Sequence, residues 1–262
     1  MKIRVLMENT AVNEQLHAEH GLSLYIETEK HKVLFDTGAS ELYAENAQQM
    51  GVRLEEVDLC ILSHGHYDHG GGLLRFLEIN DHAKIYLHRD AFRMSYSGEE
   101  KYIGLAQELA GCGRLVFTDD KYVFDDDMML YSCNGRKQWH PMNRQGLMAI
   151  VNGARVPDDF SHEQYLLIRE NGRRIVFSGC SHKGILNIVK WMQPDVLVGG
   201  FHFKKLDPMM DIEVLKENAR NLLEDSCTYY TGHCTGLEQY AVLKEMMGDR
   251  LWYLAGGSEF EL

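Results

Sequence analysis

Leu59-Cys60-Ile61-Leu62-Ser63 is a short apolar run that leads without a break into His64-Gly65-His66-Tyr67-Asp68-His69, followed by Gly70-Gly71-Gly72. Four donors suited to zinc, iron or manganese therefore fall within six residues at the end of a strand. The alternation lets one loop feed two adjacent ions, His64 and His66 serving one, Asp68 and His69 the other. The glycines let the backbone turn sharply before a helix that starts near Leu73. A strand with this spacing and a triple glycine serves no packing purpose, which sets metal ligation above a histidine-rich surface loop.

Further apolar runs predict strands at Ile3–Met7, Leu22–Glu27, Lys32–Phe35, Lys84–Leu87, Tyr165–Arg169, Arg174–Ser178, Val196–Gly199, Thr228–Thr231 and Leu251–Leu254. Helical spacing predicts helices over Ser40–Met50, Gly71–Ile79, Gly104–Gly111, Gly184–Met192, Asp211–Glu224 and Leu237–Met247. The polar turns Glu29-Lys30-His31 and Glu170-Asn171-Gly172 mark hairpins, so a purely parallel, doubly wound sheet is excluded. Thr118–Asp159 carries few periodic apolar positions and is expected to be irregular, an insertion covering a site. No Pro-rich or Ser-rich linker divides the chain, so residues 1–262 are expected to form a single domain.

Composition narrows the partners. The chain has 27 basic and 39 acidic residues, a formal charge of −12, spread so that no basic stripe exists to neutralise phosphates. Nucleic acid is therefore not an expected partner, and a small anionic substrate would need local cations or metal. No apolar stretch approaches the ~20 residues that span a bilayer, so no membrane partner is expected either. Six scattered cysteines and a start that reads straight into a strand, with no secretory signal, suit a reducing cytoplasm. The oligomeric state is not legible.

Residues 64–69 match in full the His-x-His-x-Asp-His signature, and the chain resembles the metallo-β-lactamase superfamily. Gly21-Leu22-Ser23, Val33-Leu34-Phe35-Asp36-Thr37-Gly38 and Phe177-Ser178-Gly179 extend the resemblance over most of the chain. It implies an α+β fold, a four-layer αββα sandwich with metals at one edge between two sheets. Glu19-His20-Gly21-Leu22-Ser23, Ser178-Gly179-Cys180-Ser181-His182-Lys183-Gly184-Ile185, Gly199-Gly200-Phe201-His202 and Thr231-Gly232-His233-Cys234-Thr235-Gly236 are similar to the dihydropterin ribofuranosylaminobenzene-phosphate synthase-like subgroup of hydrolases.

Two divalent ions, zinc first with iron or manganese as alternatives, need more donors than residues 64–69 supply. His233 ends the run Thr228–Thr231 ahead of a helix, the same placement as the first motif. For the third ligand of the first ion, His182 competes with His162. The general superfamily implies His162, ahead of the hairpin, while strand-end placement favours His182. Cys180 stands where the superfamily has a bridging aspartate, and its ligation stands even with burial as a space-filling thiol. Asp36 is expected to orient a ligand rather than to bind metal, and His20 to form a wall of the site. His17, His31, His82, His88 and His140 lack strand-end motifs and read as surface or packing residues.

Paired ions are the machinery of hydrolysis. Gly199-Gly200-Phe201-His202-Phe203-Lys204-Lys205 adds a histidine and two lysines after another strand end, so His202 is expected to act on the substrate as an acid and the lysines to grip an anion. The expected function is a binuclear metal-dependent hydrolase of a small anionic, phosphoester-containing substrate. The alternatives are an iron-dependent oxidoreductase on the same fold, a pterin-related synthase, and a non-catalytic ligand-sensing protein.

Overall fold

A computed structural model describes residues 1–142 and 144–262. In chain order the first elements are β1 (Lys2–Met7), β2 (Ser23–Glu27), β3 (Lys32–Phe35), α1 (Leu42–Gln49), β4 (Leu59–Ile61), α2 (Tyr67–Gly70), α3 (Leu73–Ile79) and β5 (Lys84–His88). Next come β6 (Ser95–Ser97), β7 (Lys101–Tyr102), β8 (Leu115–Thr118), β9 (Lys121–Val123), β10 (Met128–Tyr131), β11 (Leu147–Val151), β12 (Ala154–Pro157), β13 (Tyr165–Glu170) and β14 (Arg173–Ser178). The chain closes with α4 (Ile185–Met192), β15 (Val196–Gly199), α5 (Ile212–Glu224), β16 (Thr228–Thr231), α6 (Leu237–Met247), β17 (Leu251–Tyr253) and β18 (Glu259–Glu261).

These elements form two compact units, each discontinuous in sequence: Met1–Asp119 with Gly146–Gln164 and Ala255–Leu262, and Asp120–Gln145 with Tyr165–Leu254. No composition shift marks the division, because the chain passes from one to the other without any Pro-rich or Ser-rich linker.

The first unit holds a seven-stranded sheet in the order β18-β1-β2-β3-β4-β5-β8 and a four-stranded sheet β12-β11-β6-β7. β1, β2 and β3 pair antiparallel, whereas β3, β4, β5 and β8 run parallel. Buried Leu34, Cys60, Ile85 and Leu87 of those strands pack with Tyr43 and Ala47 of α1 and Leu73 and Phe76 of α3 in one apolar cluster. Burial removes the Cys60 thiol from water and pushes its pKa well up, so this cysteine behaves as a core residue.

The second unit has a seven-stranded sheet β17-β16-β15-β14-β13-β10-β9. β13 and β14 form a hairpin on Asn171-Gly172, both with positive φ, as a two-residue turn between twisted strands requires. From β14 the sheet becomes parallel through β15, β16 and β17. α4 buries Ile185, Ile188, Val189 and Met192, the i, i+3, i+4, i+7 face of a helix, with Leu167, Val176 and Leu197 in the same cluster.

Two expectations fail. Gly104–Gly111 forms no α-helix; only a 3₁₀ turn over Gln107–Gly111 appears, with Leu109 its sole buried side chain. One apolar anchor in so short a segment cannot offset helix nucleation. The stretch Thr118–Asp159, expected to be irregular, contains β9, β10, β11 and β12. Its Asn152-Gly153 pair, with φ of 50° and 79°, is a hairpin turn between β11 and β12 that the sequence displays. Asn143, in the same stretch, lies outside the described residues.

Candidate metal centre

In the first unit, parallel β3 and β4 end side by side and deliver Asp36 and Ser63 to the same point. Asp36 is fully buried and sits at φ 61°, a left-handed conformation that short polar residues tolerate. Its Oδ1 accepts the Ser63 N–H at 2.7 Å, and its Oδ2 accepts both the Ser63 hydroxyl and the His69 Nδ1–H, each at 2.7 Å. The Ser63 proton is committed to the carboxylate, so His64 Nδ1, 2.8 Å from Ser63 Oγ, is the donor of that pair. One carboxylate thus fixes two tautomers, placing the ring lone pair of His64 and of His69 on Nε2.

The ring of His64 lies 4.6 Å from that of His66 and 4.2 Å from that of His69, centroid to centroid. Asp68 Oδ2 is 3.8 Å from His69 Nε2, close enough for both to serve one ion. Burial, followed by the neighbouring His162 imidazole, pulls the pKa of His66 down to about 3. It is a neutral imidazole at pH 7, the form in which histidine ligates metal. The glycines serve close approach as much as turning: a Cβ at Gly65 would overlap the Ala91 carbonyl, one at Gly71 that of Ala39, and one at Gly72 that of Thr37.

His162 stands next to this loop but has both ring nitrogens engaged. Its Nδ1 accepts the Gly65 N–H at 3.0 Å, so the proton sits on Nε2, which donates to Asp158 Oδ2 at 3.3 Å. Burial would raise the Asp158 carboxyl, but the His162 hydrogen bond and the Phe160 N–H hold it well below the usual carboxylate range. His66, Asp158 and His162 could be taken for a metal-binding trio. In this tautomer His162 braces the loop that carries His64 and His66. His20 is 43% exposed and places Nε2 3.4 Å from Asp68 Oδ2, at the rim.

In the second unit, the parallel ends of β14, β15 and β16 carry the remaining motifs. Each of the turns that follow holds a left-handed non-glycine residue: Ser181 (φ 58°), His202 (φ 59°) and His233 (φ 50°). Strained residues of this kind gather at functional sites. Glycines make room between the turns, since a Cβ at Gly199 would overlap the Ser178 carbonyl and one at Gly200 the Cys234 sulfur. The ring of His182 stacks edge-on against His202, centroids 4.3 Å apart.

Cys180, His202 and Cys234 bring two sulfurs and an imidazole nitrogen within 4.8 Å of one another. Burial pushes the Cys234 thiol up, but Cys180, His202 and the charge of His233 outweigh it and hold the thiol well below its ordinary pKa. Sequence reasoning assigned Cys234 no role, although its position directly after His233 was a visible signal. None of the six cysteines is in a disulfide.

His182, His202 and Ser181 also line a cavity of about 300 Å³. His140, read from sequence as a surface or packing residue, lines it. Its segment is fastened by Asn187, whose Oδ1 accepts the N–H of Trp139 and of His140 and whose Nδ2 donates to the His140 carbonyl. Lys204 and Lys205 are exposed and do not line the cavity, and Lys205 Nζ donates to the Gln145 carbonyl at 2.8 Å.

Comparison with known proteins agrees with this geometry. The family model of the metallo-beta-lactamase superfamily matches residues 18–182. The chain is 29% identical to the uncharacterized protein MJ0448 of Methanocaldococcus jannaschii, over 93% of this chain and 94% of that one. It is 30% identical to the 7,8-dihydropterin-6-methyl-4-(beta-D-ribofuranosyl)-aminobenzene-5'-phosphate synthase of the same organism, over 91% and 88%. The crystal structure of Tm1679, a metal-dependent hydrolase of the beta-lactamase superfamily, covers 100% of this chain and 99% of its own, with a TM-score of 0.82 and 27% identity. The resemblance seen in the motifs and the α+β class therefore hold, and the chain belongs to the metallo-β-lactamase superfamily.

Proposed function

We propose that this protein is a binuclear metal-dependent hydrolase of a small anionic, phosphoester-containing substrate. The ligand set is the one read from the sequence: His64, His66, Asp68, His69, His182 and His233. The observation that carries the proposal is the single buried carboxylate of Asp36, which commits Nδ1 of both His64 and His69 and turns Nε2 of each into a ligand atom. That arrangement fits a divalent ion, and zinc suits imidazole and carboxylate donors, with iron or manganese as alternatives.

Bound ions supply Lewis acidity at the scissile group and a water of lowered pKa. The chain's own residues do the rest. Asp36 and Ser63 hold the imidazoles in one tautomer, and His162 braces the loop through Gly65. His202, whose ring stands edge-on against His182, protonates the departing oxygen. Cys180 is buried beside His182 and stands as a further donor where the superfamily has aspartate. Among the described residues no helix is long and apolar enough to cross a membrane, and the cytoplasm, with its reduced thiols, is the proposed compartment.

Elemental analysis of protein purified without added metal, with turnover measured on a panel of phosphoesters, tests the proposal. Two metal equivalents and phosphate release are expected. Iron with oxygen consumption and no hydrolysis would replace it with the oxidoreductase reading. The 30% identity to the pterin-related synthase favours that activity as the second reading, and product analysis with a pterin and an arylamine donor distinguishes it.

A further inference from the structure

We propose that Glu19 is a positioning residue for the candidate metal centre, holding the backbone turn from which Asp36 reaches His69. The turn leads from the end of β3 towards α1 and takes a left-handed conformation twice in three residues, at Asp36 (φ 61°) and Gly38 (φ 67°). A left-handed non-glycine residue persists only where its surroundings over-determine it. Glu19 supplies part of that constraint. Its Oε1 accepts the main-chain N–H of Ala39 at 2.9 Å and of Ser40 at 3.0 Å, and its Oε2 accepts the Ser40 hydroxyl at 2.7 Å. Three bonds to one carboxylate are charge-assisted, the stronger kind of hydrogen bond. The fit requires glycine at 38, where a Cβ would stand 2.8 Å from Glu19 Oε1.

The residues that follow Glu19 tie the same turn and pass the constraint to the ligand loop. The Leu22 carbonyl accepts the Gly38 N–H at 2.9 Å, and the Ser23 hydroxyl donates to the Asp36 carbonyl at 2.9 Å. Thr37 donates its N–H to the His69 carbonyl at 2.6 Å, Gly71 donates to the Gly38 carbonyl at 3.0 Å, and Leu22 donates to the Asp68 carbonyl at 3.2 Å. Segments 19–23, 36–40 and 68–71 thus close on one another, with the Glu19 carboxylate fixing the 36–40 side. Asp36 Oδ2 must meet His69 Nδ1 at 2.7 Å, and a shift of either backbone breaks that contact. Glu19 therefore acts on the imidazole through Asp36. Sequence reasoning gave it no role, although it opens the motif Glu19-His20-Gly21-Leu22-Ser23. What Glu19 does to a bound ion rests on the metal-dependent hydrolase proposed above; what it does to Asp36 and His69 does not.

Zinc affinity of the full chain, measured by competition with a chromophoric chelator, tests the role in a double-mutant cycle. Glu19→Ala should weaken zinc binding by about tenfold, the lower end of the effect of removing an outer hydrogen-bond partner of a ligand. Added to Asp36→Asn, it should cost no more than about a further twofold, because both changes act through one contact. Glu19→Gln keeps an oxygen for the Ala39 and Ser40 N–H groups and should lie closer to wild type than to Glu19→Ala. In metal-free protein the His69 Nδ1–H proton resonance, moved downfield by its carboxylate partner, should persist in wild type and Glu19→Gln and be lost in Glu19→Ala. Should Glu19→Ala fail to fold, Ser40→Ala, which removes one of the three bonds, takes its place in the cycle. Unchanged zinc affinity, losses that add fully with those of Asp36→Asn, or a His69 resonance unmoved by the variant overturns the positioning role. A wild-type protein that binds no zinc while the resonance follows the expected pattern keeps the role of Glu19 and overturns the metal-dependent proposal.

Discussion

The Gly65 main-chain N–H donates to Nδ1 of His162 at 3.0 Å, across 97 residues of sequence, and this one hydrogen bond decides what His162 can be. With Nδ1 accepting, the ring proton is on Nε2 and faces Asp158, so neither nitrogen has a lone pair left for an ion. The loop that carries His64 and His66 is consequently braced from its backbone. Its histidines are held by packing and hydrogen bonds, the condition under which a metal site, if these residues form one, is geometrically selective.

His162→Ala should therefore leave metal content near wild type, while His182→Ala lowers it. The same His162→Ala change should cost about 1–3 kcal/mol of stability, because it leaves a buried carboxylate and a backbone N–H without their partner. Elemental analysis and denaturant unfolding of both variants provide the check. Metal loss in His162→Ala with retention in His182→Ala would mean that the chain follows the general superfamily pattern.

His66→Ala and His69→Ala should each lose metal and activity without unfolding. Asp36→Asn removes the acceptor shared by Ser63 and His69, and metal affinity should fall by about 10- to 100-fold even though Asp36 touches no ion. Competition with a chromophoric chelator measures the affinity, and circular dichroism confirms the fold. Two retained metals in His66→Ala or His69→Ala would remove that residue from the ligand set.

His202→Ala should lower turnover by about 10²–10⁴-fold with metal content unchanged. The loss should shrink for esters of nitrophenol, a leaving group that needs little protonation. Equal losses for good and poor leaving groups would assign His202 to binding instead, and loss of metal would make it a ligand.

Metal-free protein should become less stable as pH falls below about 6.5. His66 takes up a proton in the unfolded chain near the ordinary histidine value of 6.5 but resists it in the folded state down to about 3, so the unfolded state binds more protons across that window. Asp158, held below its usual range, adds a loss of the same sign at the acid end, as pH drops through 3.8. The slope for one such group is at most about 1.4 kcal/mol per pH unit. Thermal unfolding between pH 7.5 and 4 reads it, and His66→Gln should flatten the upper part of the curve. A wild-type midpoint independent of pH over this range would show that His66 is protonated when folded.

What the sequence by itself determined was local. Donors at 64, 66, 68 and 69 were legible because they sit within six residues of a short apolar run, and the strand-end positions of His182, His202 and His233 because apolar runs and glycines bracket each of them. The hairpin at Asn171-Gly172 followed from turn chemistry, and the one at Asn152-Gly153 could have been read in the same way. Only the tertiary structure decided the rest. Asp36 reaches Ser63 and His69 across 27 and 33 residues, and no pattern within one element encodes which imidazole a distant carboxylate will turn. The tautomer of His162 is set by two hydrogen bonds, one of them to a residue far back in the chain. The cavity draws its walls from α4, α5 and the turn after β15, so its lining exists only once those elements are packed. Periodicity records which face of an element is buried; the side chains it will meet there are set by long-range packing.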